Sequence, residues 1–491
     1  MAHIPQAVLA RFLTVLVGLV LRSRGKVRDT YDLPGFPEYM LVVASNRISV
    51  FDFVLNALVP QKGEILNALN IFWRIHFKGK FRSDLVAFGS DIDQYLPKAL
   101  QGNIELWKTA VVVKKIDVIP IEGIVRGYIT GGAIKEYNKQ KGVRPRVVFN
   151  TEMSEGLTDG SPLESPWFTP TTKAEVGHDM PIAAKVVREK YGADFENMCV
   201  LLYKEAAVYA LERDIILADT KFEGDEDGLL GDEWLTPDSS RYWERKAYDL
   251  AKAKGKLPAS LDKQFVRNLL EEILKGLGPD NPADLARADV LAVSDEAIRM
   301  TTAIYRYIFW RLTGLTLEQF QRQFMGVQIE DRKLKIEVVV GSRSDLTQIL
   351  DGWDFLKKSG HSFNVSVLSC HRNADVLPSV VADKLSKADR IIACAGKAAA
   401  LPGILKSQLS LLGYSDIPVI GVALEGDTHK ADQAAILSIE ELPEQPVELD
   451  VNGNAYFGSK GFVEACQAVL QNEFLPKAVV TKPYEPDVVC P

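Results

Sequence analysis

The chain has 491 residues, and its length suggests two or more domains. It is 47% hydrophobic and 25% charged, the balance of an ordinary globular protein. A net charge of -7 argues against broad nucleic-acid binding and gives no reason for attraction to an anionic membrane surface, so any basic site must be local. The five cysteines (Cys199, Cys370, Cys394, Cys466 and Cys490) form no CxxC pair and are odd in number. A disulfide framework or zinc site is therefore not expected, and a reducing, cytoplasmic setting fits best.

In chain order, "AVLARFLTVLVGLVL" carries Arg11 and is too short for a bilayer span. It reads as a short helix followed by the first strand; a signal anchor is the alternative. Strands and helices then mix irregularly up to about Gly326, an α+β pattern, with "PRVVFNTEMSEGLTDGSPLESPWFTP" read as a long polar loop. Helical spacing marks one helix in "MPIAAKVVREKYGADFENMCVLLYKEAAVYALERD", a second in "LDKQFVRNLLEEILKGL", and a third in "SDEAIRMTTAIYRYIFWRLTG", which closes the region at a glycine. We expect a first domain over 1–326, a charged linker over 327–334, a second domain over 335–480 and a tail over 481–491. In the second domain "KIEVVVG", "FNVSVLSC", "RIIACAG" and "IPVIGVAL" are short apolar runs, each followed by a helix. This pattern indicates a doubly wound parallel sheet, Rossmann-like, in three α/β/α layers.

Four stretches of the first domain carry candidate chemistry. In "DIILADTKFE", period-2 alternation puts Asp219, Lys221 and Glu223 on one face. A hairpin returning through "LLGDEWL" would bring Asp232 beside Glu223, a pair suited to Mg²⁺ with phosphates completing the shell. A solvated acidic hairpin is the alternative. "SRGKVRDTYDL" sets Gly25 among Arg24, Lys26 and Arg28, where backbone and cations could approach a phosphate, as could those of a plain basic turn. "VRGYITGGAIKEY" places Arg126 before a Gly-Gly turn that opens a helix at Ala133, an arrangement that binds anions. Arg241 lies in a similar stretch, and both arginines are expected in loops. "FTPTTKAEVGHDMPI" gathers Lys173, Glu175, His178 and Asp179 in one loop, with Asp179 a candidate helix cap.

"RGKVRDTYDL", "NRISVFDFV", "VRGYITGGAIKEY", "FTPTTKAEVGHD", "LADTKFE" and "DEWLTPDSSRYW" follow one another in this order. Together they resemble the phosphoribosylaminoimidazole-succinocarboxamide (SAICAR) synthetase family, over roughly residues 15–325. The resemblance implies an ATP-grasp-related α+β domain. It implies ATP- and Mg²⁺-dependent joining of L-aspartate to the carboxylate of CAIR (carboxyaminoimidazole ribonucleotide) through an acyl phosphate, a step of purine biosynthesis. On this basis Glu223 and Asp232 would face the metal and Lys221 would serve catalysis beside the phosphates. Arg24, Gly25, Lys26 and Arg28 would cover ATP, and Arg126, Gly132, Ser240 and Arg241 would hold CAIR. Lys173, His178 and Asp179 would belong to the aspartate or substrate loop. The chain departs from the family pattern at Asn46, where aspartate is usual, at Gly132, where serine is common, and in "KFEGDEDG".

The second domain has candidate loops at the carboxyl ends of its strands, where open parallel sheets bind ligands. They are "GSRSD" with Ser342, Ser344 and Asp345 opening a helix, "SCHRNA" with Ser369, His371 and Arg372, and "AGKAAALPG" with Gly396. Of only six histidines, His371 is the one suited to proton transfer on this edge. These loops resemble those of the aminoimidazole ribonucleotide (AIR) carboxylase/mutase family over about 333–475, with Ala400 where that family has a second histidine. The resemblance implies that Ser342, Asp345, Ser369, Arg372 and Gly396 bind AIR or CAIR and that His371 moves the proton. AIR with CO₂, or N5-CAIR, would supply CAIR to the first domain. A homo-oligomer is expected by analogy, in that family an octamer built through this domain. Two other readings stay open. The second domain could be a non-catalytic assembly module, or the chain a small-molecule kinase.

Overall fold

The computed structural model describes residues 3–12, 16–173, 180–328, 333–443, 446–471 and 474. The chain forms two compact units, Met1–Ile329 and Glu330–Pro491.

The first unit is α+β, with two five-stranded and two two-stranded antiparallel sheets among the described residues, and flanking helices. Helix Gln6–Phe12 leads into strand Val20–Arg24, and Val8 packs with Ile4 and Val54. Among the described residues no helix is long and apolar enough to cross a membrane. The first sheet runs in the order Val20–Arg24, Arg28–Asp32, Tyr39–Ala44, Ala110–Lys114, Leu85–Phe88. The second runs Ser161–Phe168, Ile121–Ile129, Ile215–Phe222, Ser240–Glu244, with the short strand Thr171–Thr172 also on Ile121–Ile129.

Several expectations change here. The stretch read as a polar loop contains a hairpin, Arg146–Val148 with Thr151–Met153, and then the strand Ser161–Phe168. The first long helix is two, Ala184–Tyr191 and Asp194–Leu211, because Gly192 at φ 80° turns the chain where a helix cannot continue. The helix Asp295–Thr313 does end at Gly314, but a further helix, Leu317–Met325, follows behind a Thr316–Gln319 capping box. This last helix closes on the 3₁₀ segment Gly89–Tyr95. A Cβ on Gly89 would come within 2.4 Å of the Met325 backbone oxygen, and one on Gly326 within 2.4 Å of Ser90 Oγ. A side chain at Gly89 would collide with backbone, and one at Gly326 would have to displace the Ser90 hydroxyl and adopt a strained φ of 68°.

The second unit is a five-stranded parallel sheet in the order Ser362–Val367, Lys335–Val340, Arg390–Ala395, Val419–Ala423, Tyr456–Phe457. Its apolar strands are covered on both faces. Leu377, Val381, Leu401, Leu405, Ala435 and Ile439 pack on one. Leu356, Phe462, Ala465 and Val469 pack on the other. The fifth strand has only two residues, too few for any period to show. The segment after Gly341 is 3₁₀ from Arg343 to Ile349, and the α-helix starts only at Leu350, so Ser342 opens no α-helix.

Candidate functional site

Three adjacent strands of the second sheet assemble the site of the first unit. Cα register places Asp219 opposite Arg126 on one side and opposite Arg241 on the other. Facing residues of paired strands point to the same side, so both guanidiniums reach one carboxylate. Arg126 Nη1 donates to Asp219 Oδ2 at 2.6 Å, and Arg241 Nη1 lies 3.4 Å from the same oxygen. Arg126 Nε donates to Thr169 Oγ1 at 3.0 Å. Burial lowers the affinity of the Arg126 guanidinium for its proton; Asp219 opposes this and Arg241 adds to it. The two arginines are thus on strands, not in loops. Gly131, at φ 59°, lies against the Arg241 guanidinium, where a Cβ would stand 3.2 Å away. Gly132 starts the helix Gly132–Lys139 and has open space where a Cβ would go. Ser240 does not join this face. One residue out of phase with Arg241, it is buried on the other side, its Oγ 2.8 Å from Thr220 Oγ1.

Two residues further along the same strand face lies Lys221, and Glu223 follows just past the strand's end. The chain turns back directly after Glu223, as expected from "LLGDEWL": Gly224 bridges Leu230 in antiparallel fashion, and Gly231 N donates to Glu223 O at 3.0 Å. This return is brief: the ladder partners of Ile215–Phe222 are Ile121–Ile129 and Ser240–Glu244, both antiparallel, and residues 224–239 connect the strand to the latter. The turn delivers Asp232. Arg74, itself ion-paired with the buried Asp84, donates to the Asp232 backbone oxygen and holds Asp232 at φ 54°. A non-glycine residue in that region is strained and persists where its surroundings dictate it, often at functional sites.

The electrostatics tie these groups together. Arg28 Nη2 meets Asp232 Oδ1 at 2.6 Å and Glu233 Oε1 at 3.6 Å. Burial alone would raise the Asp232 carboxyl, yet Arg28, with Lys221 and Lys173, holds it well below the usual carboxylate range. Burial and then the charge of Asp232 push the Glu223 carboxyl up, against Lys173 and Lys221. Lys173 Nζ meets Glu223 Oε2 at 2.5 Å. Lys221 Nζ meets Glu122 Oε1 at 2.6 Å. Although burial works against it, Glu122, Glu223 and Asp232 keep the Lys221 ammonium above its ordinary range.

The basic hairpin forms around Gly25, whose N–H donates to Arg28 O at 2.8 Å; a Cβ there would lie 2.9 Å from that oxygen. Arg24 pairs with Asp29 at 3.4 Å, and the half-exposed Lys26 with Asp52 at 2.5 Å. Asn46 Oδ1 accepts from Gly63 N at 2.9 Å, a bond that an aspartate could also accept, so nothing here explains the departure. His178 and Asp179 lie outside the described residues.

Sequence reasoning missed a second set of charged residues. Lys62, fully buried, donates to Asp238 Oδ2 at 2.6 Å, and Tyr305 Oη donates to Asp238 Oδ1 at 2.7 Å. Burial pushes Lys263 down to about 8; Asp238 opposes this, and Arg267 and Lys221 add to it. The buried Arg267 Nε has no hydrogen-bond partner. Lys263 thus lies within electrostatic reach of Lys221 and Glu233. The one sequence signal of this set was the i, i+4 spacing of Lys263 and Arg267 in "DKQFVR".

In the second unit the candidate loops follow the carboxyl ends of three adjacent strands. Arg372 Nη2 donates to Gly341 O at 3.0 Å, and its backbone N–H donates to Ser369 Oγ at 3.2 Å. Ser344 Oγ bridges Ser342 Oγ at 2.9 Å and Asp345 Oδ1 at 3.3 Å. Burial raises the Asp345 carboxyl. His371 is exposed on this edge, and Gly396 directly follows the strand Arg390–Ala395. Ala400 precedes the helix Leu401–Leu411.

Residues 21–280 match the family model described as SAICAR synthetase, and residues 335–456 match that described as AIR carboxylase. The phosphoribosylaminoimidazole-succinocarboxamide synthase of Stenotrophomonas maltophilia (strain K279a) is 39% identical over 323 residues, 62% of this chain and 96% of that protein. The protein of the same name from Corynebacterium glutamicum (strain R) is 40% identical over 270 residues, 53% of this chain and 83% of that protein. Among solved structures, the SAICAR synthase of Saccharomyces cerevisiae complexed with SAICAR is 35% identical, with a TM-score of 0.51, covering 62% of this chain and 97% of that one.

Proposed function

Because the chain belongs to the SAICAR synthetase family and carries an AIR carboxylase domain in its second unit, we propose that the strand Ile215–Phe222 is the floor on which CAIR, ATP and L-aspartate meet. The single observation that carries this reading is the sequence of charges along one strand face. Asp219 sits between two arginines at one end, and Lys221 and Glu223 sit beside Asp232 at the other.

Arg126 and Arg241 bind the anionic groups of CAIR in place of, or together with, Asp219, and Gly132 leaves room at a helix N-terminus for a phosphate. Glu223 and Asp232 suit Mg²⁺, which is commonly held by one or two carboxylates with phosphates and water completing its shell. Among the described residues no group of three or more acidic, histidine or cysteine side chains could hold a metal by itself, so phosphates and water would have to complete the shell around this pair. When bound, the metal neutralises charge on the phosphates. Lys221 contributes a fixed positive charge where phosphoryl transfer to the CAIR carboxylate builds negative charge. Lys173 exchanges Glu223 for a phosphate or for aspartate, and Arg24, Gly25, Lys26 and Arg28 cover the nucleotide. Lys263 and Arg267 take the carboxylates of L-aspartate and direct its amine to the acyl phosphate. Amide formation then releases phosphate.

In the second unit Ser342, Asp345, Ser369, Arg372 and Gly396 hold the ribonucleotide, and His371 moves the proton at the imidazole carbon as the carboxylate is attached. Homo-oligomerisation through this unit belongs to the same reading. The test is a coupled assay of the full chain with AIR and bicarbonate, or N5-CAIR, plus ATP, Mg²⁺ and L-aspartate, followed for SAICAR. Glu223→Ala and Asp232→Ala should each cut amide formation from supplied CAIR by at least ~100-fold while the fold persists. Near-native turnover in both would overturn the assignment. No CAIR from either carboxyl source would make the second unit an assembly module.

A further inference from the structure

A pocket opens in the second unit at the end of the parallel sheet opposite to the loops already described. It is a cavity of about 220 Å³ between the starts of two strands and the segment Asp383–Lys387. Lys335 and Glu337 come from the strand Lys335–Val340, Asn364 from the neighbouring edge strand Ser362–Val367, and Asp383, Lys384 and Lys387 form the remaining rim.

Its floor holds a charge where an apolar residue would be expected. Glu337 lies in a strand with Ile336, Val338, Val339 and Val340, pairs in register with Ile391, and is only 6% exposed. Strands buried on both faces are normally apolar throughout, and buried carboxylates are normally fully hydrogen-bonded. This one is not. Asn364 Nδ2 donates to Oε1 at 2.7 Å, but the buried Oε2 accepts no hydrogen bond. Lys384 Nζ forms an ion pair with this oxygen at 3.4 Å but makes no hydrogen bond to it, its closer contact being the one it donates to Ser366 Oγ at 2.7 Å. Lys335 and Lys387 form no ion pair among the described residues. Three lysines against two carboxylates leave the pocket with one positive charge in excess.

The occupant that answers this inventory has an ammonium group to satisfy Glu337 Oε2, two acid groups for the free lysines and a net charge of minus one. We propose that this pocket binds an acidic α-amino acid, its ammonium on Glu337 and its carboxylates on Lys335 and Lys387. The inference is independent of the assignments made for the first unit. Ligands of open α/β sheets otherwise sit at the carboxyl ends of the strands, so the pocket would be an effector site rather than a catalytic one.

L-Aspartate is the probe. Full-length protein is titrated calorimetrically, with no nucleotide present, using the native chain, Glu337→Gln and Lys387→Ala. Lys387 is exposed, so its replacement leaves the fold alone, and a thermal melt checks Glu337→Gln. Loss of one charge-assisted contact in Lys387→Ala should weaken aspartate binding by about tenfold or more, and Glu337→Gln should weaken it further. Succinate, which has both carboxylates but no ammonium, should not bind at this pocket. The KM for aspartate in amide synthesis should stay unchanged in both variants, which separates this site from any in the first unit. Absence of aspartate binding to the native chain, binding that both variants leave unchanged, or succinate binding as tightly as aspartate would each overturn the proposal.

Discussion

Replacing Asp219 with asparagine tests whether this carboxylate stands in for a substrate anion. Asp219 is 7% exposed and is shared by Arg126 at 2.6 Å and Arg241 at 3.4 Å. At an effective dielectric near 20, the nearer contact corresponds to about 6 kcal/mol of gross Coulomb energy. The neutral amide would also escape the desolvation of the native carboxylate, which offsets roughly half. What remains is the cost of leaving the buried Arg126 guanidinium, and the partly buried one of Arg241, without a counter-charge, about 3–5 kcal/mol. For a unit of this size, near 2 °C per kcal/mol, the melting transition should fall by about 6–10 °C. CAIR should then restore more stability to the variant than to the native chain, because its anionic groups supply the missing charge. Differential scanning fluorimetry with and without CAIR reads both effects. A variant that melts within about 1 °C of native, or one that gains no more from CAIR than the native chain, would refute the reasoning.

Lys263 gives a pH prediction. Its folded-state value of about 8 lies below the ordinary 10.5, so between these values the unfolded chain binds more protons and stability rises with pH. Lys263→Met should remove that rise in equilibrium unfolding from about pH 8 to 10.5. If protonated Lys263 holds aspartate, the KM for aspartate should also climb as pH passes about 8, and the variant should lose that inflection. His371→Asn should reduce CAIR formation by about 10²–10⁴-fold, leaving SAICAR synthesis from supplied CAIR intact; separate assays of the two steps decide it. Gly132→Ser meets nothing within 4 Å. Its hydroxyl at the helix start should improve the KM for CAIR by a modest factor, worth roughly 0.5–1.5 kcal/mol for one hydrogen bond.

Much of the site was legible because strand alternation is a local property. The shared face of Asp219, Lys221 and Glu223 follows from period two alone, and so does the parallel sheet of apolar runs in the second unit. The errors lie where tertiary pairing decides. Arg126 and Arg241 sit among glycines and serines that imitate loops, and only register with Asp219 reveals them as strand residues. The turn back after Glu223 that carries Asp232 was legible, but its backbone anchor on Arg74, more than 150 residues earlier, is encoded by no local pattern. The buried Lys62, Asp238 and Tyr305 come from three distant segments. Gly192 interrupts a helix that the apolar spacing on either side continues through.

The closure of helix Leu317–Met325 on Gly89 and Ser90 sets an order of events during synthesis. The first unit cannot complete its packing until its final turn, ending at the fully buried Val327, has emerged from the ribosome. Its 3₁₀ segment at Gly89 must wait, unsealed, while more than 200 further residues are added. At roughly 5–20 residues per second, the rest of the chain then takes about 10–30 s to appear. In that interval the ligase half can lock shut before its neighbour has enough strands to form a sheet. A nascent chain arrested shortly before Leu317 should stay protease-sensitive, and one arrested well beyond Val327 should not.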